Sequence, residues 1–238
     1  MGKLKDKVIL ITGGTSGYGK AMAETFHKEG AKVIIAARHA ETLATVSKEI
    51  GGIDTFQMDV SNFTNWKNAH KHIMDRYGKL DILINNAGGG IAIKNIEDQT
   101  RKEIDDALAL NLASVIYSAN VFAPLFKKQK SGTIINVASV CATHAWPTWS
   151  VYAAAKAGVL NFSKGLYTEL QSFGIRVTCI IPAAASTGFQ KYANLEPSKA
   201  KLSPQSIADT ALYIAKLPPN AVVEDVTVWG IDQVVNPL

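Results

Sequence analysis

The sequence predicts an α/β protein built on one doubly wound parallel sheet of about seven strands. Two observations carry this. Short apolar runs alternate along the chain with longer stretches of helical periodicity. Most of those runs are near-continuously apolar, as parallel strands covered on both faces must be. At 238 residues and 47% apolar content, the chain buries roughly 70% of its unfolded surface, enough for a substantial core. No linker, repeat or low-complexity tract divides it, so a single domain over 1–238 is expected.

The elements follow in order. Residues 8–12, 33–37, 55–58, 82–85, 133–138 and 176–181 read as six strands, with 225–229 as the seventh. Between them lie helical stretches at 17–29, 64–77, 101–128, 152–173 and 204–216. Gly30 and Gly174 follow two of these helices, where a left-handed cap is wanted. Ser203 and Pro204 form an N-cap and first-turn pair. The stretch 187–203 is the least regular part; it is either a short lid over a substrate site or a plain surface connection.

Composition excludes several roles. The net charge of +5 is too small, and the apolar fraction too high, for a disordered chain. Lys and Arg are dispersed and match no nucleic-acid motif, so no nucleic-acid partner is expected. Two cysteines, Cys141 and Cys179, make no disulfide framework, and Cys179 sits in an apolar strand, which suits a reducing cytoplasm. Residues 1–7 are charged and the next apolar run soon meets glycines, so no secretory leader is expected. The uncharged stretches 107–126 and 131–155 reach membrane-span length but are broken by polar residues and proline, so no membrane association is expected. No metal site is expected either: His70 and His72 are two apart and point to different faces of a helix.

In open α/β sheets, ligands sit beyond the carboxyl ends of the strands. The first strand is followed by Thr12-Gly13-Gly14-Thr15-Ser16-Gly17-Tyr18-Gly19. Glycines there let the backbone turn tightly and approach a pyrophosphate, whose charge meets a helix N-terminus. The second strand ends Ala37-Arg38-His39. A fold that selects the unphosphorylated dinucleotide usually carries an acidic residue here to hold the ribose hydroxyls. Ala37 removes that repulsion and the Arg38 guanidinium suits a 2′-phosphate, which favours NADP over NAD.

Tyr152 and Lys156 are spaced i, i+4 at a helix start and share one face. A nearby ammonium, with the positive ring of an oxidised nicotinamide, would lower the pKa of a phenol and fit it for proton transfer. Ser139 ends the fifth strand, where its hydroxyl can help hold a substrate oxygen. Asn111 lies inside an apolar helix, so its amide needs a partner, either a bound water or a backbone carbonyl.

Together these residues resemble the short-chain dehydrogenase/reductase family over nearly the whole chain. The match runs from the loop at 12–19 through Asp59, Asn85-Asn86-Ala87-Gly88, Asn111, Ser139 and Tyr152-x-x-x-Lys156 to Pro182 and Thr187. The resemblance implies a Rossmann-like fold and a catalytic tetrad of Asn111, Ser139, Tyr152 and Lys156. Tyr152 would be the general acid for carbonyl reduction and Ser139 would polarise the carbonyl. Lys156 would lower the pKa of Tyr152 and hold the nicotinamide ribose, with Asn111 holding a relay water behind it. Cofactor contacts would come from Gly13, Thr15, Ser16, Gly17, Tyr18, Gly19, Arg38 and His39. Asp59 and Val60 would meet the adenine, Asn86, Ala87 and Gly88 the adenosine ribose, and Pro182 and Thr187 the nicotinamide end.

The chain departs from the family pattern after the sixth strand, where Pro182-Ala183-Ala184-Ala185 replaces the usual Pro-Gly and would narrow the floor near the nicotinamide. It also lacks the frequent glycine-rich ending. A homodimer is the safer expectation and a homotetramer the alternative, because the helices through 107–126 and from Tyr152 are apolar over most of their faces. Val140, Cys141, His144, Trp146, Trp149, Ala183 and Phe189 fall in segments that border the substrate in the family. Their aromatic content suggests an apolar or aromatic carbonyl compound, unless the tryptophans serve only as core or interface packing. The expected activity is an NADPH-dependent carbonyl reductase acting on a ketone or aldehyde. The alternatives are a 3-oxoacyl thioester reductase or a non-catalytic NADP-sensing protein.

Overall fold

The computed structural model describes residues 4–91, 93–185 and 202–233. Seven parallel strands form one sheet in the order β3-β2-β1-β4-β5-β6-β7. They are β1 (Val8–Thr12), β2 (Lys32–Ala37), β3 (Asp54–Gln57), β4 (Ile82–Asn85), β5 (Gly132–Val137), β6 (Ile175–Pro182) and β7 (Asp225–Val228). The strand order reverses between β1 and β4, which pair Ile9 with Ile82 and Ile11 with Ile84. Crossover segments leave this line in opposite directions, so a crevice opens above it.

Side chains alternate along each strand and feed two cores. Ile9, Ile11, Val33, Ile35 and Ile84 pack with Met22 and Phe26 of α1 (Gly17–Lys28), Leu43 and Val46 of α2 (Ala40–Glu49), and Ile207, Ala211 and Ile214. The last three belong to α7 (Pro204–Lys216). On the opposite face, Val8, Leu10, Ile34, Leu83 and Ile134 pack against Trp66 and Ile73 of α3 (Phe63–Tyr77), Phe122 and Phe126, and Leu166 and Leu170. Because both faces of the central strands are covered, these strands are apolar at most positions, which is why they were legible as near-continuous runs.

Strand and helix ends agree with the sequence expectation to within three residues. The helix omitted from that reading is α2, between β2 and β3. It is short and buries only Leu43 and Val46, so its apolar stripe is two residues wide. Cap expectations hold: Gly30 and Gly174 have φ of +83° and +75°, and the Ser203 hydroxyl accepts the Ser206 N–H. Most of the 187–203 stretch, with Thr187 and Phe189, lies outside the described residues.

The helix expected at 101–128 is three pieces: α4 (Arg101–Leu108), a π-helical turn over Ala109–Ala113, and α5 (Ser114–Gln129). Among the described residues this run alone is long and apolar enough to cross a membrane. Ala119, Phe122 and Phe126 instead cover one face of the sheet, so it is a core helix. The wide π turn buries Asn111 completely, as insertions of this kind often do beside a site. Helix α6 (Ser150–Leu170) packs beside it and runs on into a 3₁₀ turn at Gln171–Phe173.

The bottom of β1 is tied to β4 by one carboxylate. Asp81 accepts from Lys7 Nζ at 2.8 Å and from the Val8 N–H at 2.9 Å, with Lys79 Nζ 2.9 Å away. Burial pushes the pKa of Asp81 up, but these three donors outweigh it and the net shift is downward. A carboxyl lowered on folding stabilises the protein above the ordinary carboxylate range, and that stability is lost as pH falls through the lower folded value. Replacing Asp81 by Asn should cost about 1–3 kcal/mol near neutral pH. The difference from the parent protein should shrink towards acid, as followed by thermal unfolding across a pH series.

Candidate active site

Strands β1, β2 and β4 end at the crevice in the small or polar residues Thr12, Ala37 and Asn85. A cavity of about 410 Å³ opens above the β1/β4 boundary. Its walls include Gly13, Thr15, Ser16, Gly17 and Tyr18 from the first loop, Arg38 and His39 after β2, and Asp59 and Val60 after β3. Asn86, Ala87 and Gly88 follow β4, and Tyr152 and Lys156 come from α6. With Ala37, fifteen sequence positions singled out above therefore share one space. Gly89, Gly90, Ile91 and Leu110 line it too, with Ala36, Met58, Val137 and Ala138 at strand ends. Sequence reasoning missed these eight; the unbroken run Gly88-Gly89-Gly90 was the available signal.

The first loop is shaped by backbone demands. Gly13 and Gly17 have φ of +66° and +50°, a region that side chains with a Cβ rarely adopt. Gly19 lies one layer below the cavity, where a Cβ would overlap the Gly13 carbonyl oxygen. Thr12 and Asn86 lock this loop to the loop after β4. The Thr12 hydroxyl accepts the N–H groups of Asn86 and Ala87 at 3.1 and 3.0 Å, and Asn86 Nδ2 donates to the Thr12 carbonyl at 2.9 Å. The Ser16 side chain does not cap α1, which leaves leading N–H groups available to an anion. A loop that closes so tightly on its own backbone, under an uncapped 12-residue helix, fits a pyrophosphate.

Arg38 is exposed at the rim and makes no ion pair among the described residues. Its carbonyl accepts from Gln57 Nε2 at 2.9 Å, which holds the backbone while leaving the guanidinium free to reach an anion. Asp59 is turned inward on its own loop, accepting from the Ser61 N–H and hydroxyl at 2.9 and 2.6 Å. Val60 is placed by its carbonyl, which accepts the Trp66 indole N–H at 2.8 Å.

At the other end, Tyr152 and Lys156 are both buried. A polar chain seats α6 under them: Asn85 Nδ2 donates to Asn136 Oδ1, Asn136 Nδ2 to the Ser163 hydroxyl, and Ser163 to the Val159 carbonyl. Lys156 Nζ donates to the Val137 carbonyl at 3.0 Å and lies 5.8 Å from the Tyr152 ring centre. Burial pulls the pKa of Lys156 down to about 8. Burial also pushes the Tyr152 phenol above the ordinary tyrosine range; the thiol of Cys141 adds to this and the Ser139 hydroxyl works against it. The expectation that Lys156 lowers the pKa of Tyr152 is therefore not met in the protein alone. Desolvation of the phenolate dominates.

Ser139 follows the cavity residue Ala138 and opens a 3₁₀ turn, where its hydroxyl accepts the Cys141 N–H at 3.2 Å. Asn111 stands behind Gly88. Its Oδ1 accepts the Gly89 N–H at 3.0 Å, while Nδ2 donates to the carbonyls of Gly89 and Ala107 at 2.9 and 3.0 Å. Of the two partners considered for this amide, backbone takes it. A Cβ on Gly88 would come within 3.0 Å of Asn111 Oδ1 and 3.2 Å of Lys156 Nζ, so the glycine lets all three approach.

The expected substrate segment divides. Trp149 sets its ring edge-on to Tyr152 at 5.5 Å, and Val140 and Cys141 are buried in the turn after Ser139. His144 and Trp146 instead stack on each other at 5.9 Å, and His144 meets Trp229 at 5.5 Å. None of these five lines the cavity, and Trp229, just after β7, gives His144 an aromatic partner that local sequence does not reveal. Ala183 and Pro182 lie just outside it at the end of β6, where the Ala183 carbonyl accepts the Tyr18 hydroxyl at 3.2 Å. Cys179 is fully buried on β6, its thiol pushed up to about 11 by burial.

Comparison with known proteins agrees with this geometry. Residues 7–198 match the family model for short chain dehydrogenase. An uncharacterized oxidoreductase of Staphylococcus aureus strain USA300 is 35% identical over 227 residues, covering 94% of this chain and 97% of the relative. Among solved structures, the closed form of a serine dehydrogenase complexed with NADP+ superposes with a TM-score of 0.89 at 25% identity, covering 97% of this chain and 98% of that one. A 3-ketoacyl-(acyl-carrier-protein) reductase from Brucella melitensis complexed with NADH gives 0.88 at 31% identity, covering 98% and 100%. The tight glycine loop at the sheet's switch point, the buried Tyr152–Lys156 pair and a family match over most of the chain lead to one conclusion: this protein belongs to the short chain dehydrogenase family of oxidoreductases.

Proposed function

We propose that this oxidoreductase reduces a ketone or aldehyde to an alcohol with NADPH, through Tyr152, Ser139, Lys156 and Asn111. The observation that carries the reading is the two-ended cavity. A free guanidinium, Arg38, stands at one rim with no carboxylate before it on β2, and a buried acid, Tyr152, stands at the other end beside Lys156. When bound, the dinucleotide supplies a hydride to the carbonyl carbon.

The chain's own residues do the rest. Gly13 to Gly19 and the first turn of α1 hold the pyrophosphate, Arg38 and His39 the 2′-phosphate, and Asp59, Val60 and Asn86 to Gly88 the adenosine half. Tyr152, kept protonated by burial, gives its proton to the carbonyl oxygen while the Ser139 hydroxyl holds that oxygen in place. The phenolate left behind faces the Lys156 ammonium in a site of low dielectric, where opposite charges attract more strongly than in water. Asn111 fixes the Gly88–Gly89 wall against which Lys156 packs.

Trp149 beside Tyr152, with Val140 and Cys141 buried in the turn after Ser139, makes the surroundings of the reacting end apolar and partly aromatic, which suits an uncharged carbonyl compound. We also place the protein in the cytoplasm, as two buried free thiols suit, and as a homo-oligomer. A second reading, reduction of 3-oxoacyl thioesters, is favoured by the 31% identity to the Brucella reductase.

The deciding assay follows loss of the reduced-nicotinamide absorbance with NADPH and NADH in parallel, across ketones, aldehydes and 3-oxoacyl thioesters. Turnover of hydrophobic ketones supports the first reading and turnover of thioesters alone the second. Tight NADPH binding without turnover on any compound would count against both and favour a sensing role. Tyr152→Phe should lower kcat by about 100-fold or more while leaving NADPH affinity nearly intact, as measured by steady-state kinetics and fluorescence titration. Arg38→Asp should weaken NADPH binding by roughly tenfold or more and leave NADH binding unchanged or improved. Equal loss for both cofactors would remove the 2′-phosphate clamp.

A further inference from the structure

Tyr18 sits in the first turn of α1 and reaches across the crevice. Its backbone belongs to the glycine loop and its ring packs on the core that covers one face of the sheet, yet it also lines the cavity. The hydroxyl donates to the Ala183 carbonyl at 3.2 Å, joining residues 165 apart in sequence. Burial pushes the pKa of Tyr18 far above the ordinary tyrosine range, so the hydroxyl keeps its proton and remains a donor.

The segment it holds is short and otherwise fastened from the opposite side. The Ala183 N–H donates to the Val228 carbonyl at 2.9 Å, and the Ala184 carbonyl accepts from Gln233 Nε2 at 2.9 Å. The β7 side thus anchors this ledge by two bonds, and the glycine-loop side by the Tyr18 hydroxyl. The Ala138 N–H donates to the Ile180 carbonyl, which sets the end of β6 beside the strand that leads into Ser139. The Tyr18 phenol is also near enough to Tyr152 to add to that residue's raised pKa. All of these contacts lie at the Tyr152–Lys156 end of the cavity, away from Arg38.

We propose that Tyr18 is a positioning residue for the nicotinamide half of the dinucleotide: its bond to the Ala183 carbonyl, just outside the cavity, fixes both that ledge and the Tyr18 side chain that lines the reacting end. An aliphatic or phenyl side chain would leave that carbonyl without its donor and free the ledge to shift. The adenosine end, built from Arg38, Asp59 and Asn86, does not depend on this bond. The proposal rests on the reading of the cavity as a dinucleotide site.

Binding tests it without recourse to turnover. Tyr18→Phe keeps the ring and removes only the hydroxyl, and thermal unfolding of the unliganded variant checks that the fold is retained. Two probes are titrated against parent and variant: NADPH, and adenosine 2′,5′-bisphosphate, which carries the 2′-phosphate but no nicotinamide. The expected result is an NADPH dissociation constant raised about five- to tenfold, with bisphosphate affinity unchanged within about twofold. Unchanged NADPH affinity overturns the role of Tyr18 alone. Equal weakening of both probes also overturns it, because the hydroxyl would then be supporting the whole glycine loop. A parent protein that binds neither probe overturns the dinucleotide reading itself, and with it the role given to Tyr18.

Discussion

The site depends first on a staple between two loops. Thr12 ends β1 and Asn86 follows β4; the Thr12 hydroxyl accepts the N–H groups of Asn86 and Ala87, and the Asn86 amide donates to the carbonyls of Thr12 and Gly13. These bonds hold the glycine loop over the point where the strand order reverses. The buried Thr12 hydroxyl also donates to the Ile84 carbonyl, at 3.3 Å, so it uses both its acceptor and its donor capacity. Everything above it follows: the aim of the α1 N-terminus, the position of Tyr18, and the gap into which Gly13, Gly19 and Gly88 admit neighbouring atoms. Removing one partner would leave buried polar atoms unpaired, which costs more than the bond itself contributes.

Desolvation governs the reacting end. Tyr152 and Lys156 are both out of water, and burial disfavours the charged form of each, raising the acid and lowering the base. The phenolate and the ammonium are each costly alone in such a site and less so beside one another. An exposed tyrosine and lysine at the same spacing on a surface helix would feel none of this, since solvent would screen them. The chain of Asn85, Asn136 and Ser163 matters for the same reason. It lets α6 carry a lysine into the interior on a hydrogen-bonded polar seat instead of an apolar one.

Segregation of roles along the crevice follows from the sheet. Strands β2 and β3 lie on one side of the switch point and carry Arg38, His39 and Asp59. Strands β5 and β6 lie on the other and carry Ser139 and the Ala183 ledge. A ligand spanning the crevice therefore meets a cationic rim at one end and a buried proton donor at the other. The π-helical turn of Ala109–Ala113 belongs to the second group, because it turns the Asn111 amide onto the backbone of Gly89, beside Lys156.

Much of this was legible in the chain itself, for physical reasons. Continuous apolar runs mark strands covered on both faces, and Gly13, Gly17 and Gly19 mark backbone that must turn left-handed or approach closely. Those are local requirements, written residue by residue. The short helix α2 escaped because two buried side chains make too narrow a stripe. Asn111's partners, the meeting of His144 with Trp229, and the upward shift of Tyr152 were decided only by the tertiary structure. Each depends on which distant groups arrive and how much water they displace. The sequence by itself determined where the strands lie and which residue types could do the chemistry. The tertiary structure decided which of those residues face one cavity, because burial and long-range contact are properties of the packed sheet and not of any one segment.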